Sequence, residues 1–402
     1  MFGFVPEQYK FFSQEFDSED EILKGCEDAD YIGFSLTSFQ VNEALRLIVK
    51  IKKINRNAKI IWGGYGVNGF SSEKIIELYG KYVDYFIQGP GEDGWVRILT
   101  DSNSPRVIRS QIITDFDKYP YPDRDLIRID RNLKKLMDLE GVRKTSMEMQ
   151  RGGCPFKCKF CAAGSFQNKR GWRSADNIIG EMEILRDKYG MDKDSMVLMS
   201  DAEILIDEQI VKMAEMKVER NIDFKFGMNV VASTIIQSNK IKYLEKLAKA
   251  GCSEIWMGVE SDPTLMHLTG KPISPEKIKS AFKITKDLGF IRKAYFILGF
   301  TEEETEQTIL NRIPFVEELD PDIVGFTIYI PVPGSPGYNH EKHGNIDFEK
   351  SCEYQNLFTR TKTLSNSDLR YWQKYLVDYF KEKATYRQKE DTSNKLKIGN
   401  KK

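Results

Sequence analysis

Short apolar runs alternate with amphipathic helical stretches along most of this chain, and that alternation limits its fold more than any other feature. Strands are predicted at residues 145–150, 195–199, 224–230, 254–259, 292–298 and 323–330, with helices between them at 175–188, 207–220, 240–250, 275–288 and 302–318. Strands joined by helical crossovers pair in parallel, so the repeat builds one parallel sheet with helices packed on it. Six such units are too few to close an eight-stranded barrel. Ser174 suits the N-cap of the first of these helices, and Pro275 suits the first turn of the fourth.

A smaller alternation precedes this one. Strands at 31–35, 59–62 and 82–87, with helices at 42–54 and 73–79, read as βαβαβ, a small parallel sheet of Rossmann-like type. Residues 100–143 carry Pro105 and the run Tyr119-Pro-Tyr-Pro-Asp123 and read as a linker. The expected fold is therefore α/β: a truncated Rossmann-like sheet (1–99), a linker (100–143), a partial (β/α)6 barrel (144–335) and a helical C-terminal extension with its tail (336–402). In that extension, 367–383 reads as a helix with Tyr371, Trp372, Tyr375, Leu376, Tyr379 and Phe380 on roughly one face, a stripe suited to core or lid packing.

Composition excludes several roles. The 402 residues carry 60 basic and 60 acidic side chains, so the chain lacks the basic excess that a nucleic-acid partner demands. No apolar stretch approaches the ~20 residues of a membrane span, and the first residues do not read as a signal peptide. A cytoplasmic protein is expected. Six cysteines, three of them crowded together, fit a reducing compartment better than a disulfide framework.

Those three, Cys154, Cys158 and Cys161, fall within eight residues of Arg151-Gly-Gly-Cys-Pro-Phe-Lys-Cys-Lys-Phe-Cys-Ala-Ala-Gly164. Three thiolates are one short of a closed tetrahedral site or of a fully ligated 4Fe-4S cluster, which leaves one metal position open for chemistry. Zinc is the competing occupant, but it wants a fourth ligand nearby. The nearest histidine is His267, and the remaining cysteines are Cys26, Cys252 and Cys352. His340 and His343 are spaced for a helical metal pair, although the polar Asn-His-Glu-Lys-His-Gly run reads better as a flexible loop.

The CxxxCxxC spacing, with Phe160 just before its last cysteine, resembles the signature of the radical S-adenosylmethionine (SAM) superfamily. That resemblance implies a 4Fe-4S cluster on Cys154, Cys158 and Cys161. It also implies SAM bound at the open iron and cleaved reductively to a 5'-deoxyadenosyl radical that abstracts hydrogen from a substrate. Further segments resemble the family in order. Met199-Ser-Asp-Ala-Glu203 offers Asp201 and Glu203 near the SAM amino group, and Asn229 ends the third strand. Gly258-Val-Glu-Ser261 resembles the Gly-x-Glu-Ser ending of the fourth strand, with Gly258 letting backbone approach the nucleoside and Glu260 facing the ribose. Ile297-Leu-Gly-Phe-Thr-Glu-Glu-Glu-Thr305 resembles the fifth-strand Gly-x-Pro-x-Glu-Thr segment with Thr301 replacing proline, and places backbone at Leu298 and Gly299 against adenine. Tyr329-Ile-Pro-Val-Pro-Gly-Ser-Pro336 resembles the loop after the sixth strand.

The N-terminal sheet resembles that of the cobalamin-binding branch, with two departures. There is no Asp-x-His-x-x-Gly motif, and too few residues precede the first helix for a complete domain. The sequence therefore favours an oxygen-sensitive radical SAM enzyme acting on a small molecule or peptide without cobalamin, served by an electron donor such as flavodoxin or ferredoxin. A cobalamin-dependent C-methyltransferase is the alternative. A non-catalytic cluster- or corrinoid-binding scaffold is the alternative of another class.

Overall fold

The computed structural model describes residues 9–384 except 15, 112, 153, 164–169, 205–206 and 353–355, and it leaves undescribed the side chains of 151, 152, 170, 200–204, 238 and 239. Four parallel strands open the chain: β1 (Tyr31–Ser35), β2 (Lys59–Gly63), β3 (Tyr85–Gln88) and β4 (Val107–Arg109), lying side by side in chain order. The helix Val41–Ile54 buries Leu47, Ile48 and Ile51 against one face, beside Ile60, Trp62 and Phe86. The helix Gly91–Thr100 closes the other face, where Ile61, Ile87, Ile98 and Ile108 pack together. β1 is an edge strand, and its alternating exposed and half-buried residues reflect a neighbour on one side only.

The segment read as a linker is not bare connection. Val107–Arg109 pairs with β3 as the fourth strand, and the helix Ile129–Glu140 sends Ile129 and Leu133 into the core of the second sheet. Single-sequence patterning passes over both because three residues are too few to show a period and the helix is richly charged.

The second sheet starts at β5 (Arg143–Met147). A hairpin, β6 (Gln150–Gly152) with β7 (Arg170–Trp172), then leaves the sheet and pairs antiparallel. The chain returns with β8 (Ser195–Ile204), β9 (Lys225–Val230), β10 (Cys252–Glu260), β11 (Ile291–Leu298) and β12 (Ile323–Ile328), giving a six-stranded parallel order β12-β11-β10-β9-β8-β5. β12 and β5 are its two edges, so this is an open half-barrel, as the count of six implied. Strands covered on both faces read as near-continuous apolar runs, and Phe224, Phe226, Met228 and Val230 are all fully buried. Ser174 caps its helix by accepting from the Asn177 N–H, and Pro275 sits in the first turn of Pro275–Asp287. The expected single helix at 302–318 is two, Glu306–Leu310 and Arg312–Leu319. Pro314, which has no N–H to donate to a preceding turn, belongs in the first turn of the second helix and breaks the first.

The two sheets are fastened by the segment after β12. Gly69 lies so close to the Pro333 backbone that a Cβ would come within 2.3 Å of it. Arg46 holds Glu349 with both guanidinium nitrogens, at 2.6 and 2.8 Å, and Phe39 meets Phe348 edge to face at 5.8 Å. The His340–His343 run, expected as a loop, is a helical turn capped by Asn339. The His343 Nδ1 accepts from the Asn339 N–H at 2.9 Å. The C-terminal helix Asn366–Tyr379 divides its stripe: Leu369 and Leu376 are buried and Trp372 packs on the core, while Tyr371, Tyr375 and Tyr379 point outward. No helix among the described residues is long and apolar enough to cross a membrane.

Candidate active site and interdomain cavity

The three-cysteine segment lies in the connection of the β6–β7 hairpin, just past the C-terminal end of β5, where half-barrels and barrels alike gather reactive groups. Cys154 and Cys158 are buried and Cys161 is half-buried, all as free thiols. The loop folds on itself through the Cys154 N–H to Ala163 O (3.4 Å), the Cys161 N–H to Cys158 O (3.1 Å) and the Ala163 N–H to Cys161 Sγ (3.4 Å). Neighbouring loops clip it from outside: Lys159 donates to Thr269 O at 2.9 Å and accepts from the Gly337 N–H at 2.8 Å.

Burial pushes the Cys158 thiol up to about 12, against the pull of the Lys271 ammonium, and raises Cys161 as well. Each thiol feels the others electrostatically. Among the described residues no group of three or more His, Cys, Asp or Glu side chains is gathered at metal-ion distance. The chemistry of the donor set decides the fit. These are three soft sulfur ligands in apolar surroundings, whereas Cys26 lies in the first domain and Cys252 starts β10 at the opposite end of the barrel. Such a set suits an iron–sulfur cluster with one iron left open.

Phe160 turns its ring onto Phe300, edge to face at 5.5 Å, and Phe300 meets Tyr329 in the same way at 5.5 Å. The ends of β11 and β12 thereby become one wall with the cysteine loop. Asn229, half-buried at the end of β9, makes no side-chain hydrogen bond among the described residues. Asp201 and Glu203 are in the last residues of β8, where pairing with β9 is irregular, and their side chains lie outside the described set.

β10 ends in an unusual way. Its pairing with β11 slips between Gly258 and Glu260, and Glu260 adopts φ 71°, a left-handed conformation that costs a non-glycine residue of order 1 kcal/mol or more. This bend throws the carboxylate back over Gly258, where it meets Lys271 Nζ at 2.8 Å; both side chains are almost wholly buried. A Cβ at residue 258 would stand 1.9 Å from Glu260 Oε1 and 2.5 Å from Lys271 Nζ. The glycine expected to admit a nucleoside here makes room for an ion pair. Lys271 escaped the sequence reading because a loop, not a spacing on one helix or strand, brings it there.

The fifth-strand segment is likewise partly buttress. Leu298 is fully buried, and the Cβ side of Gly299 (φ 72°) is filled by Leu369 and Thr359. Only backbone at these two positions faces the barrel mouth. Glu304 turns inward to accept from the Gly299 N–H at 2.6 Å and pairs with Arg312, which also reaches Ile297 O at 3.1 Å. Burial pushes the Glu304 carboxyl up while the guanidinium pulls it back. Thr305 caps the helix Glu306–Leu310.

Between the two sheets lies a cavity of about 650 Å³, within the range of cofactor pockets. The C-terminal ends of β1, β2 and β3 supply its floor through Ser35, Gly63, Gly64 and Gly89, and Trp95 forms a side. Glu148 and Ala163 bring it up against the cysteine loop. A site at the strand ends of an open parallel sheet is the expected place for a ligand. Histidine is absent from its lining.

Comparison with known proteins agrees with this layout. Residues 151–311 match the family model described as the Radical SAM superfamily. The chain is 26% identical over 340 residues to an uncharacterized methyltransferase of Pyrococcus horikoshii, covering 79% of this chain and 71% of that protein. It is 22% identical over 355 residues to the anaerobic magnesium-protoporphyrin IX monomethyl ester cyclase of Rubrivivax gelatinosus, covering 83% of this chain and 63% of the cyclase. Among solved structures it is similar in fold to the radical S-adenosylmethionine methyltransferase TsrM of Kitasatospora setae with cobalamin and a 4Fe-4S cluster bound, with TM-score 0.62 and 15% identity over 81% of this chain and 69% of that one.

Proposed function

Because this chain belongs to the radical SAM superfamily, we propose that it is a corrinoid-dependent radical SAM enzyme that transfers a methyl group, with Cys154, Cys158 and Cys161 holding a 4Fe-4S cluster and the interdomain cavity holding the corrinoid. When bound, the cluster supplies the electron that splits SAM and the corrinoid supplies a carrier for the one-carbon group. In this reading Phe160, Asp201, Glu203, Asn229, Gly258, Glu260, Leu298 and Gly299 surround SAM. Glu260 accepts from the ribose hydroxyls and the backbone at Leu298 and Gly299 packs on adenine. Phe160, Phe300 and Tyr329 shut water out on the side of β11 and β12.

The cavity is the observation that carries this reading, for it joins the strand ends of the first sheet to Glu148 and Ala163 beside the thiols. It displaces the corrinoid-free reading favoured by the sequence, which rested on a missing histidine motif and a short first domain. Neither of those removes the cavity, and both named relatives of methyltransferase type lean the same way. Since the lining has no histidine, cobalt would take no imidazole from it.

Anaerobic purification after corrinoid supply tests the reading, with bound corrinoid and iron assayed together. Ser35→Trp, at an exposed strand end on the cavity wall, is expected to abolish corrinoid retention and leave iron content intact. Labelled SAM should pass its methyl group to product. A wild-type protein that holds iron and forms 5'-deoxyadenosine but never retains corrinoid restores the cobalamin-free reading.

A further inference from the structure

The loop that buries its thiols turns its two lysines outward. Lys157 and Lys159 stand on either side of Cys158 in the chain, so covalent geometry ties each ammonium to a buried thiol one residue away. Both side chains are exposed, and neither forms an ion pair among the described residues. The backbone beneath them is held firmly by the Thr269 carbonyl and the Gly337 N–H on Lys159, and by the left-handed Gly270, where a Cβ would lie 3.2 Å from Lys157 O. Exposed residues of these same clipping loops, His267, Gly270, Pro336 and Gly337, add no carboxylate. A chain whose 60 basic and 60 acidic side chains cancel overall is locally cationic over its thiol loop.

We propose that this face docks a small acidic one-electron carrier protein, which reduces the cluster across the single loop separating it from solvent. The inference rests on the cluster reading above. In the step, the carrier's reduced centre loses one electron and the cluster gains it; no bond is made or broken and no proton is required. Charges of opposite sign at an interface act chiefly by steering encounter, so two fixed lysines over the acceptor raise the capture rate where it matters. Lipid surfaces are bound by clusters of about four to eight basic residues, and nucleic acid by several phosphate contacts, so a protein carrier fits two lysines better.

The test drives 5'-deoxyadenosine formation by reconstituted holoenzyme with either reduced flavodoxin or dithionite, which needs no docking face. In the Lys157→Glu/Lys159→Glu double variant, the flavodoxin concentration for half-maximal rate should rise roughly tenfold and its salt dependence should flatten. The dithionite-driven rate and iron content should stay within about twofold of wild type, as rim charges act on encounter alone. The milder Lys157→Gln/Lys159→Gln pair should show the same split at smaller size. An unchanged flavodoxin response, or an equal loss with both reductants, overturns the docking face. Direct flavodoxin binding to wild type and variant reads the same surface without turnover, and a larger loss for phosphatidylserine vesicles or single-stranded DNA also overturns it. Absence of 5'-deoxyadenosine from wild type with dithionite would instead sink the cluster reading.

Discussion

Two buried lysines occupy opposite ends of the half-barrel, and they are satisfied by different chemistry. At the N-terminal ends of the strands, Lys217 donates to two carbonyls, Ile222 O at 2.6 Å and Phe224 O at 2.7 Å, and burial depresses its pKa to about 8. At the C-terminal end of β10, Lys271 pairs with the Glu260 carboxylate beside the thiols. The first arrangement closes backbone hydrogen bonds where the helix Glu208–Glu219 turns into β9, and nothing around it can react. The second holds opposite charges at the end of a strained strand, next to groups suited to a cofactor. Burial alone therefore does not mark a functional lysine; the kind of acceptor and the end of the barrel do.

Breaking this comparison at the thiols should give the largest effect. Cys158→Ala should eliminate cluster-bound iron and lower 5'-deoxyadenosine formation about a thousandfold or more, since no other ligand in the loop can replace it. Iron and sulfide assays read the first result and product chromatography the second.

The next effect belongs to the reactive end. Lys271→Met leaves the Glu260 carboxylate buried without its cation, and should cost about 3 kcal/mol in denaturant unfolding as well as weaken SAM binding. Adding Glu260→Gln should recover most of the stability and none of the SAM affinity. If the double variant binds SAM like wild type, Glu260 has no role in holding the nucleoside.

Lys217→Met should cost about 1–3 kcal/mol by orphaning two carbonyls, with SAM cleavage unchanged. It also carries a pH signature. An unfolded lysine keeps its proton up to its ordinary value of 10.5, whereas folded Lys217 releases it near 8, so the unfolded chain binds more protons between these values. Wild-type stability should consequently gain up to roughly 1.4 kcal/mol per pH unit from this group above pH 8, a slope that the variant loses. Unfolding midpoints at several pH values across this window check it.

Cys252→Ala should show the smallest effect. Burial keeps this thiol protonated at the base of the barrel, so the substitution removes packing worth about 1 kcal/mol and leaves iron content unaltered. Loss of iron in this variant would contradict the separation of the two ends.

Periodicity located every strand of the half-barrel, because strands buried on both faces must be apolar and the helices between them must be amphipathic. It overlooked β4 and the helix Ile129–Glu140, and it joined β5 to β6, since the break at Glu148 interrupts pairing without interrupting the apolar pattern. The cysteines were legible because their ligand spacing is local. Residues that meet only through the fold were not.

By itself the sequence determined the open parallel architecture and the set of three thiolates, both of which are written in patterns a few residues long. Tertiary structure alone decided that Lys271 locks Glu260 over Gly258, that Glu304 and Arg312 brace the end of β11, and that the truncated first sheet leaves a cavity against the cysteine loop. Those contacts join residues from separate loops and domains, and their strength depends on burial and distance, neither of which any one-dimensional spacing encodes.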